Sequence, residues 1–406
     1  MIALLIFEAL IIIIILGEAI MSVSHFITGG LVHLSGNPIQ VTLTAGFARN
    51  KHRLALKITC DHLLGSPFVD EIAPKNLVSV FDISGYVDQP VSYSFDYPAT
   101  GVINPHDLLA FRVSLDIGEV WTDGNGDRQE QWMNLSENHQ IRVIKGKLRP
   151  YELGILNDSG KNFYTEYING GKFLSHLPDF QKVGPDQIPL LWYLSRWPGN
   201  HQATAHLTIN TNLGQPKLTI SRELVFYDIT GLVDFAVQPR HWGFQAEAGE
   251  QVLSYEFWLS DSEGDISERR SFVVDNSYYE KSFLFYYVNP LSGVDCIRLT
   301  GQYSEGLKTE SGIAYRPVPV LSGSRVAGQT TISGTSQRSW ELNTGSRSKA
   351  EILALRDFLT ARQCWMADPG NAEKLIPVTI ETGDHRLFDS GEDIQHLDIK
   401  ILEAHK

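Results

Sequence analysis

Cationic side chains are scarce in this chain of 406 residues. It holds 34 Lys and Arg against 47 Asp and Glu, so the formal net charge is −13. A surface that binds nucleic-acid phosphates needs clustered Lys and Arg. The balance therefore argues against a specific nucleic-acid-binding function, and it favours solubility and partners that are not acidic.

Cysteine is also scarce, with three widely spaced residues at Cys60, Cys296 and Cys364. No CxxC pair occurs, so we expect no zinc site. We interpret the three as buried or idle thiols of a protein made in a reducing compartment. One disulfide plus one unpaired thiol is the alternative.

Motifs that would indicate catalysis are missing. The chain has no GxSxG elbow, no P-loop, no GxGxxG after a strand, no HExxH and no HxH. We therefore predict a protein that is not an enzyme, with no catalytic residue, no cofactor and no metal site. Paired carboxylates that come from different strands leave no sequence pattern. A carbohydrate-active enzyme therefore stays as an alternative, ranked below the two functions given at the end of this section.

The first twenty residues, "MIALLIFEALIIIIILGEAI", form an apolar extension. No Lys or Arg precedes this run, as a signal peptide would require, and Glu8 interrupts it as a membrane anchor. We favour a third interpretation, in which Met21 is the natural start and residues 1–20 come from a miscalled start codon. The signal peptide ranks second and the anchor last.

Beyond this extension the composition indicates a mainly β protein of two to four domains. Hydrophobic residues make up 43% and aromatic residues 10% of the chain. Runs such as "HRLALKITCD" alternate apolar and polar residues, and "GEVWTDGNGDRQEQWMN" has the pattern of a hairpin. Strands of this length and spacing predict β-sandwiches.

An eight-residue phrase occurs twice, as "FDISGYVD" from Phe81 and as "YDITGLVD" from Tyr227. Each copy predicts a strand that runs into a turn. In that turn Asp82 or Asp228 accepts a backbone N–H, and Gly85 or Gly231 takes a positive φ. A metal site formed with Asp88 and Asp234 is the alternative, but the hydroxyl and glycine between the aspartates favour the turn.

The residues that flank the two phrases also correspond. Phe111 and Tyr255 begin similar runs at an offset of 144 (255 − 111). Collinear similarity of this kind predicts a duplicated sandwich. The predicted organisation places the extension at 1–20 and the first sandwich at 21–150. An aromatic and Pro-rich connecting segment at 151–199, with an extended arm or loop at 162–178, precedes the second sandwich at 200–275.

The last part of the chain, 276–406, predicts an α+β module with one clear helix. Ser348 and Glu351 form a capping box, and Ile352, Leu355 and Phe358 follow at helical spacing. Alternating strands then end the chain.

Two further stretches suggest binding sites. Asp123, Asn125 and Asp127 match the first ligands of an EF-hand, but Arg128 and Asn134 break the pattern at its glycine and glutamate positions. We interpret the stretch as a hairpin tip. Trp192, Tyr193 and Trp197 suit a sugar-binding platform, but aromatic residues in such a segment are more often packing residues.

The third module carries a resemblance to a known class of proteins. The order "SWELNTG", "SRSKAEILALRDFLTARQCWM", "LIPVTI" and a final alternating strand resembles tail and baseplate structural proteins of bacteriophages, especially phages and prophages of the Bacteroidetes lineage. "FLFYYVNPLSGVDCIRLTG" and "ITGGLVHLSGNPIQVTLT" fit the same group.

This resemblance implies a structural component of a virion, assembled in the host cytoplasm. Its expected partners are other tail proteins and further copies of itself in a ring, without membrane binding. The alternative is a secreted or cell-surface β-sandwich adhesin that binds glycans.

Overall fold

The computed structural model describes residues 23–60, 65–88, 102–106, 109–134, 140–196, 200–213, 218–226, 231–315, 329–368, 371–381, 383 and 395–404. Strands dominate these residues and form antiparallel sheets, which confirms the predicted mainly β class. The predictions about residues 1–20 and Met21 lie outside the described part. No helix within it is long and apolar enough to cross a membrane.

The first module extends from Val23 to Ile144. Its elements are β1 (Val23–Ile27), β2 (Val32–Leu34), β3 (Gln40–Ala45), β4 (Arg53–Thr59), β5 (Phe68–Ile72), β6 (Val78–Asp82), α1 (Ser84–Val87), β7 (Ile103–Pro105), β8 (Ala110–Thr122), β9 (Arg128–Asn134) and β10 (Ile141–Ile144).

Two sheets of this module enclose its core. One has the order β1-β3-β6, and the other has the order β2-β10-β8-β4-β5 with β9 paired to β8. Strand β2 runs parallel to β10, and all other pairs are antiparallel. This arrangement is that of an immunoglobulin-like sandwich. Alternating residues of both sheets meet between them, among them Val41, Leu56 and Leu115.

Two helical segments follow the first sandwich, α2 (Pro150–Asp158) and a π-helical turn (Tyr164–Ile168). The second sandwich contains β11 (Gln181–Val183), β12 (Leu190–Leu194), β13 (His201–Thr211), β14 (Leu218–Phe226), β15 (Leu232–Ala236), β16 (Val252–Asp261), β17 (Gly264–Asp265) and β18 (Arg270–Val274).

The two sandwiches have the same strand order. The large sheet of the second is β11-β18-β16-β13-β14 with β17 paired to β16, and β11 is parallel to β18. Each strand has its counterpart in β2-β10-β8-β4-β5 and β9. Tyr255 pairs with Phe272 as Phe111 pairs with Val143. The offset of 144 seen in the sequence therefore joins structurally equivalent strands, as a duplicated sandwich requires.

The repeated phrase does not occupy equivalent positions, and this prediction is wrong. In the first sandwich the phrase ends β6 and continues into α1, whereas in the second its last residues begin β15, the counterpart of β6. Gly231 has a φ of 61°, but Gly85 is helical without a positive φ. The flanking strands, and not the phrase, carry the evidence of duplication.

The second sandwich takes one strand from the chain of the first. Strand β7 pairs with β15 and completes the small sheet β12-β15-β7. Beside it, Asp234 accepts hydrogen bonds from Asn104 (2.9 Å) and His106 (2.5 Å). The His106 ring also stacks on Trp192 at 4.0 Å between centroids. This pairing joins the two sandwiches through their backbones.

The third module is α+β with one long helix, as predicted. Its elements are β19 (Phe283–Val288), β20 (Val294–Leu299), β21 (Tyr303–Tyr315), β22 (Gln329–Asn343), α3 (Lys349–Leu359), β23 (Cys364–Asp368), β24 (Asn371–Ile380) and β25 (Asp398–Glu403). The strands form one antiparallel sheet of order β20-β19-β23-β24-β25-β22-β21. The predicted capping box is confirmed, since Ser348 Oγ accepts from the Glu351 N–H and the Glu351 carboxylate accepts from the Ser348 N–H.

The predicted boundary at residue 200 is wrong, because β11 and β12 already belong to the second sandwich. The connecting segment 151–199 is therefore shorter than expected. Of the extended arm or loop predicted at 162–178, the extended arm is wrong, whereas residues 171–178 are a loop that packs against the modules. This stretch contains the π-helical turn, and Phe173 and Leu174 within it are fully buried. Strand β11 was missed because three residues give too short a pattern to recognise.

The three modules share one central apolar core. It contains Leu34 and Ile144 of the first sandwich, Trp192 of the second, and Tyr286 and Val294 of the third. Gly146 marks a close approach within this region, since a Cβ there would lie 2.6 Å from the carbonyl oxygen of Pro290.

Replacing Gly146 by alanine tests this packing. Because the Pro290 oxygen is a backbone atom that also accepts from the Lys147 N–H (2.9 Å), the modules must separate to admit a methyl group. We expect Gly146→Ala to cost about 1–3 kcal/mol, measured as a lower midpoint in urea denaturation. Gly85→Ala is the control, because its Cβ would meet nothing within 4 Å. Equal midpoints for wild type and Gly146→Ala would contradict the close contact.

Candidate interaction arm and polar junction

The hairpin of β21 and β22 projects beyond its sheet. Strand β22 pairs with β21 over most of its length, but with β25 only from Ser339 to Asn343. We call its outer part, Leu307–Tyr315 with Gln329–Ser336, the arm. No other strand of the described part pairs with it, and every residue of β21 is exposed or half-buried.

One face of the arm continues the core-facing side of the sheet. At the base, Tyr303 lies opposite Leu342, which packs with Ile352 and Leu355 of α3. Side chains alternate along a strand, so Leu307 shares the face of Tyr303. The bulge at Gly312/Ile313 adds its extra residue to β22, so the alternation of side chains along β21 is not interrupted. Ile313 and Tyr315 therefore lie on this face too.

The apolar residues of this face are exposed where α3 no longer covers them. Leu307 is 62%, Ile313 49% and Tyr315 76% exposed. A two-stranded hairpin is marginally stable on its own in water, and no described strand pairs with the outer edge of β21. The arm thus has the composition and the hydrogen-bonding edge of a contact surface for another polypeptide.

A buried polar cluster joins the modules on another side; we call it the junction. Arg149, at the N-terminus of α2, donates to Glu152 (2.8 Å) and to Asp357 of α3 (2.8 Å). His176 of the connecting segment hydrogen-bonds Asp357 through Nδ1 (2.7 Å) and Tyr167 through Nε2 (3.0 Å). The connecting segment, from its first helix to His176, and the third module therefore meet in one network.

Burial and the neighbouring charges together shift the pKa values of His176 and Asp357 in the junction. Burial alone would lower the pKa of His176, but the hydrogen bond and charge of Asp357, with Glu152 and Asp295, outweigh it and raise that pKa. Burial opposes ionisation of Asp357 as well, but the bonds and charges of His176 and Arg149 hold its pKa below the usual value. The pair is thus favoured in its ionised form.

Glu152, His176 and Asp357 are also the one group in the described part with at least three potential metal ligands close together, since their ligand atoms lie within 4.8 Å. Arg149 already donates to both carboxylates. A metal ion would have to displace a guanidinium that satisfies the same oxygens. The residues therefore fit an ion-pair network better than a metal centre.

A groove of about 530 Å³ opens beside the junction, between the first sandwich and the third module. Its charged side chains are largely paired, since Lys145 donates to Asp88 (2.8 Å) and Arg149 to Asp357. Of these two pairs, only Arg149 with Asp357 crosses the groove to the third module.

The aspartates of the repeated phrases are not brought together. Asp82 accepts from the backbone N–H groups of Ile39 (3.2 Å) and Ser84 (3.0 Å), as the turn interpretation predicts. Asp88 binds Ser35 and Lys145, whereas Asp234 lies in the second sandwich. Asp228 lies outside the described residues. No close group of potential metal ligands in the described part contains Asp82, Asp88 or Asp234.

The EF-hand-like stretch is a hairpin tip between β8 and β9. Asp123 Oδ1 accepts from the N–H groups of Asn125 and Asp127, both at 2.9 Å, and Gly126 has a φ of 92°. The carboxylate of Asp123 thus closes the turn, in agreement with the turn interpretation.

Trp192 and Tyr193 are packing residues, as the favoured interpretation of this aromatic stretch predicts. Trp192 is 2% and Tyr193 0% exposed, and both lie in β12 at the cores of the modules. Trp197 lies outside the described part. The three cysteines are buried and none forms a disulfide. Burial raises the pKa of Cys296 to about 12, which makes this thiol unreactive.

Sequence analysis missed the junction because Arg149 and Asp357 are 208 positions apart. One local signal was present. Pro150 at the first helical position and Glu152 two residues later are typical of a helix N-terminus. Nothing in the sequence joins this signal to His176.

Removing Arg149 tests the junction. Arg149→Met removes the one guanidinium that Glu152 and Asp357 share and leaves them only Arg356 and His176. We expect a loss of about 3 kcal/mol in the free energy of unfolding. Arg240→Met is the control, because the Arg240–Asp186 pair is exposed at both ends (75% and 82%) and is worth little. A similar urea midpoint for the two variants would contradict a stabilising junction.

The junction also predicts a pH dependence. A raised pKa means that His176 contributes fully below its ordinary value of 6.5 and loses this contribution as the pH rises through the folded value. Asp357 contributes above 3.8 and loses its share as the pH falls. The stability difference between wild type and His176→Gln should thus be largest between these two values.

Asp295 must be allowed for in this measurement, because burial raises its pKa to about 6. It weakens folding as the pH rises from 3.8, in the same direction as His176. The comparison is therefore repeated in the Asp295→Asn background by urea denaturation at several pH values. A difference that grows above pH 6.5 would contradict the assignment.

Comparisons with known proteins give no family. No family model matches the chain, and no curated protein does. Bacteroides uniformis beta-glucuronidase 2 bound to cyclophellitol-6-carboxylate aziridine is 10% identical over 52% of this chain and 28% of that chain, with a TM-score of 0.16. A marsupial T cell receptor is 10% identical over 79% of this chain and 96% of that chain, with a TM-score of 0.19. At such TM-scores neither similarity bears on fold or function.

Proposed function

We propose that the chain is a structural subunit of a larger assembly, and that the arm contacts the neighbouring subunit. The observation that carries this proposal is the apolar face of Leu307, Ile313 and Tyr315, which continues the buried side of its sheet but is itself exposed, with no described element packed over it. Burial of exposed apolar residues beside an unpaired strand edge stabilises both the arm and the contact.

The assembly that we propose is a phage tail or baseplate, as the sequence resemblance implies. Two duplicated sandwiches and a third module, locked together by a shared core, give a rigid subunit suited to a ring. The proposed location is the virion, after assembly in the host cytoplasm. A tape-measure or tail-tube gene beside this reading frame is the expected genomic context.

The arm contacts a second copy of the chain in this proposal, together with other tail proteins. Closed symmetry is the usual outcome when one surface of a subunit meets a different surface of the next. The alternative function is that of a secreted or cell-surface β-sandwich adhesin that binds glycans; Trp192 and Tyr193 are buried and do not form a sugar-binding surface for it.

Size-exclusion chromatography with light scattering tests the arm. We expect wild type to give a multiple of 45.5 kDa, and a variant carrying Leu307→Asp and Tyr315→Asp to shift toward the monomer, because a charge on this face opposes burial. Leu353→Asp is the matched control. Leu353 is 46% exposed and lies on α3, outside the arm.

Two results would contradict this proposal. One is a wild-type chain that stays monomeric at every concentration and does not bind other tail proteins. The other is an assembly whose mass the arm variant leaves unchanged. Circular dichroism and urea midpoints of all three proteins confirm that any change in mass does not come from unfolding.

A further inference from the structure

A small cavity of about 230 Å³ lies between the second sandwich and the third module. The second sandwich contributes Lys182 and Asp275. The third module contributes Arg298, Ser346 and Arg347. Three cations and one carboxylate in so small a space stand out in a chain whose net charge is −13.

Arg298 is held rigidly in this cavity. Its Nε donates to Ser282 Oγ (3.1 Å), and its guanidinium carbon lies 5.1 Å from the centre of the Tyr279 ring. Gly184 leaves the space that the guanidinium needs, because a Cβ there would lie 2.6 Å from Arg298 Nη1. A fixed guanidinium is the preorganised donor that binds carboxylate and phosphate groups well.

The charge of Arg298 is not compensated within the described residues. No described carboxylate forms an ion pair with it, and the residue lines the cavity. Its Nη1 is enclosed beside Gly184 without a hydrogen-bond partner, so a ligand in the cavity can meet only the rest of the guanidinium. An anion there would balance this charge.

The other charged groups of the cavity do not fill this role. Asp275 accepts from the Tyr279 hydroxyl (2.8 Å) and from the Ser277 N–H (3.0 Å). Arg347 pairs with Glu351 (3.3 Å). Lys182 is exposed at the cavity and forms no ion pair with a described carboxylate. Arg298 and Lys182 therefore leave an excess of positive charge.

We propose that this cavity binds a small oxyanion, a carboxylate or phosphate group, with Arg298 as its principal donor and Lys182 as a second cation. The hydroxyl of Ser346 lines the same space and offers a neutral donor. Because the walls come from two modules, the anion also links the second sandwich to the third module. The site is separate from the arm and independent of the assembly proposed above.

Isothermal titration calorimetry of the full chain at constant ionic strength tests this site, with inorganic phosphate and succinate as probes. We expect saturable binding of at least one probe. Arg298→Gln should weaken it about tenfold or more, because a charge-assisted hydrogen bond is lost. Gly184→Ala should weaken it as well by displacing the guanidinium. Arg53→Gln, an exposed arginine of the first sandwich, should leave binding unchanged.

Lys182→Gln keeps the test decisive if Arg298→Gln fails to fold, because an exposed lysine can be replaced without disturbing the core. Lys182→Gln should weaken binding severalfold. In this background, Arg298→Gln should also reduce the affinity by a larger factor than it does in wild type. Saturable binding of phosphate alone or of succinate alone would identify the ligand class. Absence of saturable binding by both probes would overturn the proposal, as would equal affinities for wild type, Lys182→Gln and Gly184→Ala.

Discussion

The whole molecule depends on burial of one apolar core that no module closes by itself. Val32 and Leu148 of the first sandwich, Leu190 of the second, and Leu291 and Cys296 of the third pack into it. Because each module would expose these residues alone, their contact is driven by the same hydrophobic effect that folds a single domain. The donated strand β7 and the junction of Arg149 with Asp357 then fix the orientation of modules that are already joined.

This rigid arrangement bears directly on function. Paired charges and backbone pairing restrict movement between the modules, so the exposed arm is presented from a fixed body. A contact surface on such a body loses little conformational entropy when it binds. The proposed oxyanion cavity lies at a second boundary between modules, where Arg298 forms no ion pair with a carboxylate of the described residues. Both clusters of charged side chains, the junction and the cavity, thus lie at boundaries between modules.

Local sequence patterns predicted individual strands, turns and the helix cap correctly. They did not predict correctly which segments of the two sandwiches are structurally equivalent. The capping box at Ser348, the turn at Asp123 and the strand at Arg53–Thr59 follow from residues close in sequence, and the structure has all three. The repeated octapeptide misled because its aspartate, glycine and β-branched residues suit either the end or the beginning of a strand. Which of the two occurs depends on the neighbouring strand, β3 for the first copy and β12 for the second.

The sequence by itself determined the mainly β class and the one long helix, because alternation, turn residues and helix caps act over a few positions. Only the tertiary structure decided that residues 103–105 complete the other sandwich and that Arg149 meets Asp357. These contacts join residues that are more than one hundred positions apart. Their free energy comes from burial and pairing between modules, which leave no periodic pattern along the chain.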